Sequence, residues 1–243
     1  AFSKKLKPEG KLFIKKGLPL NGITYAIEEE ADYIAHNIKV ENGTYVFDVK
    51  TPTQNIQNLK FNLPGRHNLS NALIALAMAV EFGCSPNSLS NALASYKGVK
   101  RRFTYQIKTD DLIFIDDYAH HPEEIKAVYQ AVREMYPNQK VLAIFQPHLF
   151  SRTKDFANEF ASSLEKFDSI LLLEIYPARE LPIEGVNSQW LLDKINNSNK
   201  KLISKSEIVN EINKSDIKII LTIGAGDIGA EVKNIKENLS VAS

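Results

Sequence analysis

Four apolar runs, Leu112–Ile115, Val141–Phe145, 169–174 and 217–223, constrain this chain more than any other feature. Runs of this kind mark strands buried on both faces. Between them lie stripes at helical spacing, with Ile125, Val128, Tyr129 and Val132 in one and Phe156, Phe160, Leu164 and Phe167 in another. Strands alternating with helices over short connections form an α/β fold with a mostly parallel sheet. Strands are expected near 102–107, 112–116, 140–146, 169–174 and 217–223. Helices are expected near 122–136, 153–167, 188–196 and 205–213, with a short one after Gly226.

The first 64 residues read differently. Short runs at Lys11–Lys15, Thr24–Ile27, Tyr33–Val40, Thr44–Val49 and Leu59–Leu63 are bounded by Gly, Pro, Asn or charged turns, as strands are. Asn42-Gly43 between two of them is a hairpin signal. His36 stands alone in an alternating strand and reads as a structural or surface residue. At Leu63-Pro64-Gly65-Arg66-His67-Asn68 the period changes to 3.6. A helix is expected to about Phe82, with Leu69, Leu73, Leu76, Ala77 and Val80 inward and Asn68, Ser70 or the preceding turn as its cap. Asn68 and Asn71 share a face of its first turn, beside His67, where the dipole favours a phosphate or its nucleoside. A second helix is expected over Asn87–Tyr96, and a domain boundary near Gly98, giving domains 1–98 and 99–243.

A formal net charge of +1 gives no reason to expect nucleic acid or an anionic membrane as partner. Cys84 is the one cysteine, which excludes an internal disulfide and fits a reducing compartment. No run reaches the roughly 18 apolar residues of a membrane span. The chain starts without methionine and without the apolar core of a signal peptide, so a cytoplasmic location, and a piece of a longer protein, are expected.

Polar clusters follow the predicted strands, where open α/β sheets bind ligands. Asp116-Asp117-Tyr118-Ala119-His120-His121-Pro122 places two carboxylates, a phenol and two imidazoles between a strand and a helix. Gln146, His148, Ser151 and Arg152 form a rim suited to an anion, with Ser151 or Thr153 as a candidate cap. Arg101 and Arg102 bring two guanidinium groups, which match phosphate or carboxylate; Arg101 reads equally as a solvated turn. Gly224, Gly226 and Gly229 fit a dinucleotide pattern, but no acidic residue about 20 positions on supports it. These glycines are expected to let the backbone pass close to a ligand or an adjoining loop.

Taken in order, Pro64-Gly65-Arg66-His67-Asn68 with Asn71, Gly98-Val99-Lys100-Arg101-Arg102-Phe103, the aspartate–histidine block, Gln146-Pro147-His148 with Ser151-Arg152-Thr153, Ile175-Tyr176-Pro177-Ala178-Arg179-Glu180 and Gly224-Ala225-Gly226-Asp227-Ile228 resemble the Mur ligases of peptidoglycan synthesis. The resemblance implies the later part of a central ATPase domain, then a Rossmann-like C-terminal domain. It implies ATP and Mg2+ as cofactors, and UDP-N-acetylmuramate and L-alanine as substrates joined through an acyl phosphate. It places His67, Asn68 and Asn71 near adenine and ribose, Arg102 near phosphate and Asp117 near ribose. His120, His148 and Arg152 would face the muramoyl carboxylate and alanine. Leu149 stands where some members carry arginine, leaving alanine's carboxylate to Arg152.

The family's phosphate loop and magnesium-binding glutamate and histidine have no counterpart in this sequence, which contains no G-x-x-x-x-G-K-[ST]. The missing N-terminal and central portions of the same enzyme are therefore expected partners, and the chain alone is expected not to ligate. Three alternatives remain at this stage: a ligase that reattaches a recycled murein peptide, a non-catalytic nucleotide-binding module, and a metal hydrolase centred on Asp116, Asp117, His120 and His121. Domain closure around ATP and substrate is expected of a ligase.

Overall fold

The computed structural model describes residues 5–41 and 43–241. The chain divides after Lys97 into two compact units, each with its own sheet.

In the first unit β1 (Phe13–Lys15), β2 (Ile23–Ile27), β3 (Tyr33–Glu41), β4 (Thr44–Lys50) and β5 (Asn55–Phe61) lie side by side in chain order. The pairs β1–β2 and β2–β3 are parallel, while β3–β4 and β4–β5 are antiparallel. Two helices follow, α1 (Arg66–Glu81) and α2 (Pro86–Ser95), with α1 against β2 and β3 and α2 against β5. The buried stripe of α1 is Leu69, Ala72, Leu73, Leu76 and Ala77; Val80 is only half-buried, and Ala72 takes the inward place. Asn42 lies outside the described residues, but Glu41 pairs with Thr44 as a hairpin requires.

Two local readings change. Strand β5 begins at Asn55, not Leu59, because a register shift opposite Phe47–Val49 breaks the period-two pattern; Asn58 there has φ 56°. Helix α1 has no side-chain cap. Its N-cap is Gly65 at φ 97°, a conformation glycine adopts without penalty, whereas Asn68 lies inside the helix. Helix α2 is capped by Ser85, whose hydroxyl accepts from the Ser88 N–H.

The second unit contains β6 (Thr104–Lys108), β7 (Ile113–Asp117), α3 (Pro122–Met135), β8 (Val141–Phe145), α4 (Phe150–Asp155), α5 (Ala157–Leu164), β9 (Ser169–Leu172), α6 (Ser188–Lys194), β10 (Lys200–Leu202), α7 (Ile208–Asn213), β11 (Ile219–Ile223) and α8 (Ile228–Val241). Its sheet order is β10-β9-β8-β11-β7-β6, with only the edge pair β6–β7 antiparallel. Alternate strand residues serve opposite layers. Ile113, Ile115, Val141, Ala143, Phe145, Ile219, Leu221 and Ile223 join α3, α5 and α6 in one core. Phe114, Leu142, Ile144 and Ile220 join α7 and α8 in the other. Burial on both faces explains why these strands read as continuous apolar runs.

The predicted helix 153–167 is two helices that meet at Phe156, whose φ of −116° interrupts the turn, and the first begins at Phe150. The three-residue edge strand β10 gave no apolar signal, since two of its residues are lysines. Helix α8 is 14 residues rather than short, carried by the stripe Ile228, Val232, Ile235 and Leu239. Because the central strands are parallel and in register through Asp117, Ile223, Phe145 and Leu172, the segments that leave them emerge along one edge.

Candidate functional site

Strand β7 delivers Asp116 and Asp117 to that edge, yet both carboxylates turn inward. Asp116 accepts from Arg101 Nε at 3.0 Å and Thr222 Oγ1 at 2.9 Å. Burial raises its pKa, against the pull of Arg101. Asp117 accepts from the Phe103 N–H at 2.7 Å and the Ala119 N–H at 2.8 Å, one on each oxygen. It therefore binds the arginine turn to the histidine turn. Burial pushes its pKa up to about 6, against these two amides.

An acid that is harder to ionise folded than unfolded lowers stability as pH rises through the interval between its two pKa values. From the ordinary 3.8 to about 6, Asp117 is expected to withdraw up to ~3 kcal/mol. Urea unfolding followed by Trp190, the single tryptophan, should show that decline in the wild type relative to Asp117→Asn. Asparagine cannot accept from both amides, so the variant should be less stable overall by about 1–3 kcal/mol at pH 4. Equal pH slopes in the two proteins would refute the assignment.

The histidine pair separates by function. His121 is the N-cap of α3, accepting from the Glu123 N–H, and its ring meets Phe156 at 4.7 Å. His120 faces the other way. Its Nδ1 lies 2.9 Å from the Tyr118 carbonyl, which places the hydrogen on Nδ1 in the neutral ring, and its N–H donates to Glu124 at 2.9 Å. Glu124 also lies 3.8 Å from Arg102, whose side chain is 53% exposed.

From the end of β8, His148 brings its ring to 6.0 Å from that of His120 and stacks on Tyr176 at 5.6 Å. Burial first, then the charges of Arg152 and His120, lowers its pKa, so the ring is neutral at pH 7. Arg152 Nη1 is 3.5 Å from His148 Nδ1. Glu180 accepts from the Ser151 N–H at 2.9 Å and from its hydroxyl, steadying the turn that carries Arg152. Leu149 precedes this helix at φ 74°, a strained conformation for a branched side chain. Its N–H donates to the Tyr176 carbonyl, and its carbonyl accepts from Thr153 Oγ1. Neither Ser151 nor Thr153 is the cap.

Arg102, Glu124, His120, His148 and Arg152 thus form one polar line along the carboxyl edge. Sequence reasoning found four of its five members. Glu124 was missed, although an acid at the third position of α3 is a familiar partner for the preceding backbone. Tyr176 was missed as the residue that braces His148. Two other readings are corrected. Arg101 is not a solvated turn, since it is tied to Asp116. Gln146 is not a rim residue but a buried brace, donating to Asp227 at 2.7 Å and accepting from the Ile228 N–H at 2.9 Å. Gly224 and Gly226 serve this brace. A Cβ on Gly226 would lie 2.3 Å from Gln146 Oε1, so the close approach is to an adjoining loop.

His67, Asn68 and Asn71 lie in the first unit, at the start of α1. His67 and Asn71 are exposed; Asn68 is half-buried and donates from Nδ2 to the Pro64 carbonyl at 2.7 Å. Asp116, Asp117, His120 and His121 do not converge on a point, because each turns to a different partner. Among the described residues no three His, Cys, Asp or Glu side chains gather as a metal site.

Two Mur ligase domains match this chain: the Mur ligase middle domain over residues 9–79, and the Mur ligase glutamate ligase domain over residues 101–227. The chain belongs to the Mur ligase family. Among curated relatives, UDP-N-acetylmuramate–L-alanine ligase of Flavobacterium psychrophilum is 64% identical over 98% of this chain and 53% of its own length. The protein of the same name from Christiangramia forsetii is 61% identical over the same shares. The chain spans about half the length of the curated relatives it matches. The crystal structure of UDP-N-acetylmuramate-alanine ligase from Thermotoga maritima superposes with a TM-score of 0.75 at 25% identity, over 91% of this chain and 48% of that one.

Proposed function

We propose that this chain is part of a ligase that joins L-alanine to UDP-N-acetylmuramate at the expense of ATP, in peptidoglycan precursor synthesis in the cytoplasm. The observation that carries the reading is the polar line on the carboxyl edge, in a chain similar over nearly its whole length to relatives of that name. Among the described residues no helix is long and apolar enough to cross a membrane. Residues 1–98 would be the later part of the central ATP-binding domain, and 99–243 the C-terminal ligase domain.

In this reading the muramoyl carboxylate takes the γ-phosphoryl group of ATP. The amine of alanine then attacks the acyl carbon, and the tetrahedral intermediate collapses with loss of phosphate and of the amine's proton. Arg102 would meet the phosphoryl charge. Its exposed guanidinium, weakly engaged by Glu124, suits that task. Arg152 would hold alanine's carboxylate. Nε2 of His120, the nitrogen opposite its contact with the Tyr118 carbonyl, would accept the amine's proton beside the reacting carbonyl, with the uncharged ring of His148 next to it. His67, Asn68 and Asn71 would receive adenine and ribose, and the turn of Asp117, whose carboxylate holds two amides, would lie near ribose. Mg2+ would accompany the triphosphate, keeping several of its waters.

The test is product analysis of the full-length protein with ATP, Mg2+, UDP-N-acetylmuramate and L-alanine. Formation of UDP-N-acetylmuramoyl-L-alanine with one phosphate released per alanine is expected. Preference for a murein peptide as acceptor would make it the recycling ligase. ATP binding without phosphate release would make it a binding module.

A further inference from the structure

Arg102 is flanked by two residues in left-handed backbone conformations, Arg101 at φ 60° and Phe103 at φ 48°. A non-glycine residue in that conformation is strained, so something must hold it. Phe103 is held by Asp117, which accepts its N–H. Arg101 is held more firmly. Its Nε donates to Asp116, a residue 1% exposed, and its Nη2 donates to the Gly224 carbonyl at 2.6 Å. Its guanidinium carbon lies 5.1 Å from the centre of the Tyr118 ring, and its carbonyl accepts the Tyr118 N–H at 2.7 Å. Space is kept for it as well, since a Cβ on Gly229 would come within 2.4 Å of Nη1.

One side chain therefore joins three turns: 99–103, which carries Arg102; 116–121, which carries His120; and 224–229, which closes over Gln146. We propose that Arg101 is a positioning residue, which fixes the direction of Arg102 and the place of the Tyr118–His120 turn without itself meeting substrate. Two adjacent arginines thus divide one task. The first is spent inward on Asp116 and Gly224, and the strained turn it stabilises leaves the second, 53% exposed, for an anion. The effect on turnover rests on the ligase reading; the effect on the turns does not.

Two measurements test this separately. In the full-length ligase, Arg101→Met should lower kcat by about 30-fold, as a small misplacement of a charge-stabilising group does, with KM for alanine little changed. In an Arg102→Ala background the same change should cost only about 2-fold, because residues acting through one another are not additive. Equal losses in both backgrounds, or near-normal kcat for Arg101→Met alone, would overturn the positioning role. Amide hydrogen exchange on the 243-residue chain supplies the second test. Exchange at Tyr118 and Gly224 should quicken about 10-fold in Arg101→Met while β8 and β9 keep their rates. Unchanged exchange at both amides would refute the tie even if the full-length protein proved not to be a ligase. Should the methionine variant fail to fold, Arg101→Lys, which keeps the charge but not both hydrogen bonds, takes its place with the same expected directions.

Discussion

Arg102→Ala in the full-length protein should lower turnover in the proposed ligation by about 10²- to 10³-fold, the usual loss when one donor aimed at developing charge is removed. The expectation follows from what the guanidinium does not do in the fold. It spends little of its hydrogen-bonding capacity internally, since Glu124 stands 3.8 Å away and it acts on the buried Asp117 only through its charge. Thermal stability should accordingly change by less than about 0.5 kcal/mol, as for other exposed substitutions. A large kinetic loss with an unchanged melting temperature is therefore the signature. Arg102→Lys should recover only part of the rate, because an ammonium cannot present a planar pair of donors to a phosphoryl group. Near-normal turnover of the alanine variant would return Arg102 to the solvated surface and leave the phosphate without a partner in this unit.

The largest stability effect should come from beneath the site. Phe160→Ala is expected to cost about 3–5 kcal/mol, the sum of lost apolar transfer and the cavity left behind. Phe160 is fully buried, and its ring lies 5.6 Å from that of Phe145. Phe145 is the last residue of β8, directly before Gln146-Pro147-His148. A cavity there removes the support of the loop that carries His148, so the variant should lose turnover as well as stability. Urea unfolding monitored at Trp190, which packs on the same core, reports the unit concerned. Phe160→Leu, which refills most of the space, should cost far less. A loss below about 1 kcal/mol for the alanine variant would show that this core closes around the cavity, which close-packed interiors seldom do.

The polar line also shows how charge is arranged before any ligand arrives. His148 is kept neutral by burial first and then by the neighbouring charge of Arg152, so the arginines supply the fixed positive charge. Glu180 is held below the ordinary carboxylate range by the hydroxyl and backbone N–H of Ser151. It therefore stays ionised beside Arg152 across the physiological range. Arginines at both ends with the uncharged ring of His148 between them suit the proposed reaction, in which phosphate charge must be met while an amine loses its proton.

What the sequence determined by itself was local. The continuous apolar runs of β7, β8 and β11 required burial on both faces, and the stripes of α1, α3 and α5 required one buried face each. Those two periods were enough for the α/β class. The ordered blocks of polar residues identified the family, because chemistry-bearing side chains are written in the sequence as types. Tertiary structure alone decided what each of those types does. Arg101 and Arg102 are adjacent and chemically identical, yet one ties three turns together while the other is left for a ligand. Asp116 and Asp117 both turn inward, and His120 and His121 face different neighbours. The reason is physical: a side chain's task depends on which distant backbone groups need a partner. The N–H of Phe103, the carbonyl of Gly224 and the hydroxyl of Thr222 reach these residues only when the parallel sheet brings strand ends together that lie up to 123 positions apart in the chain.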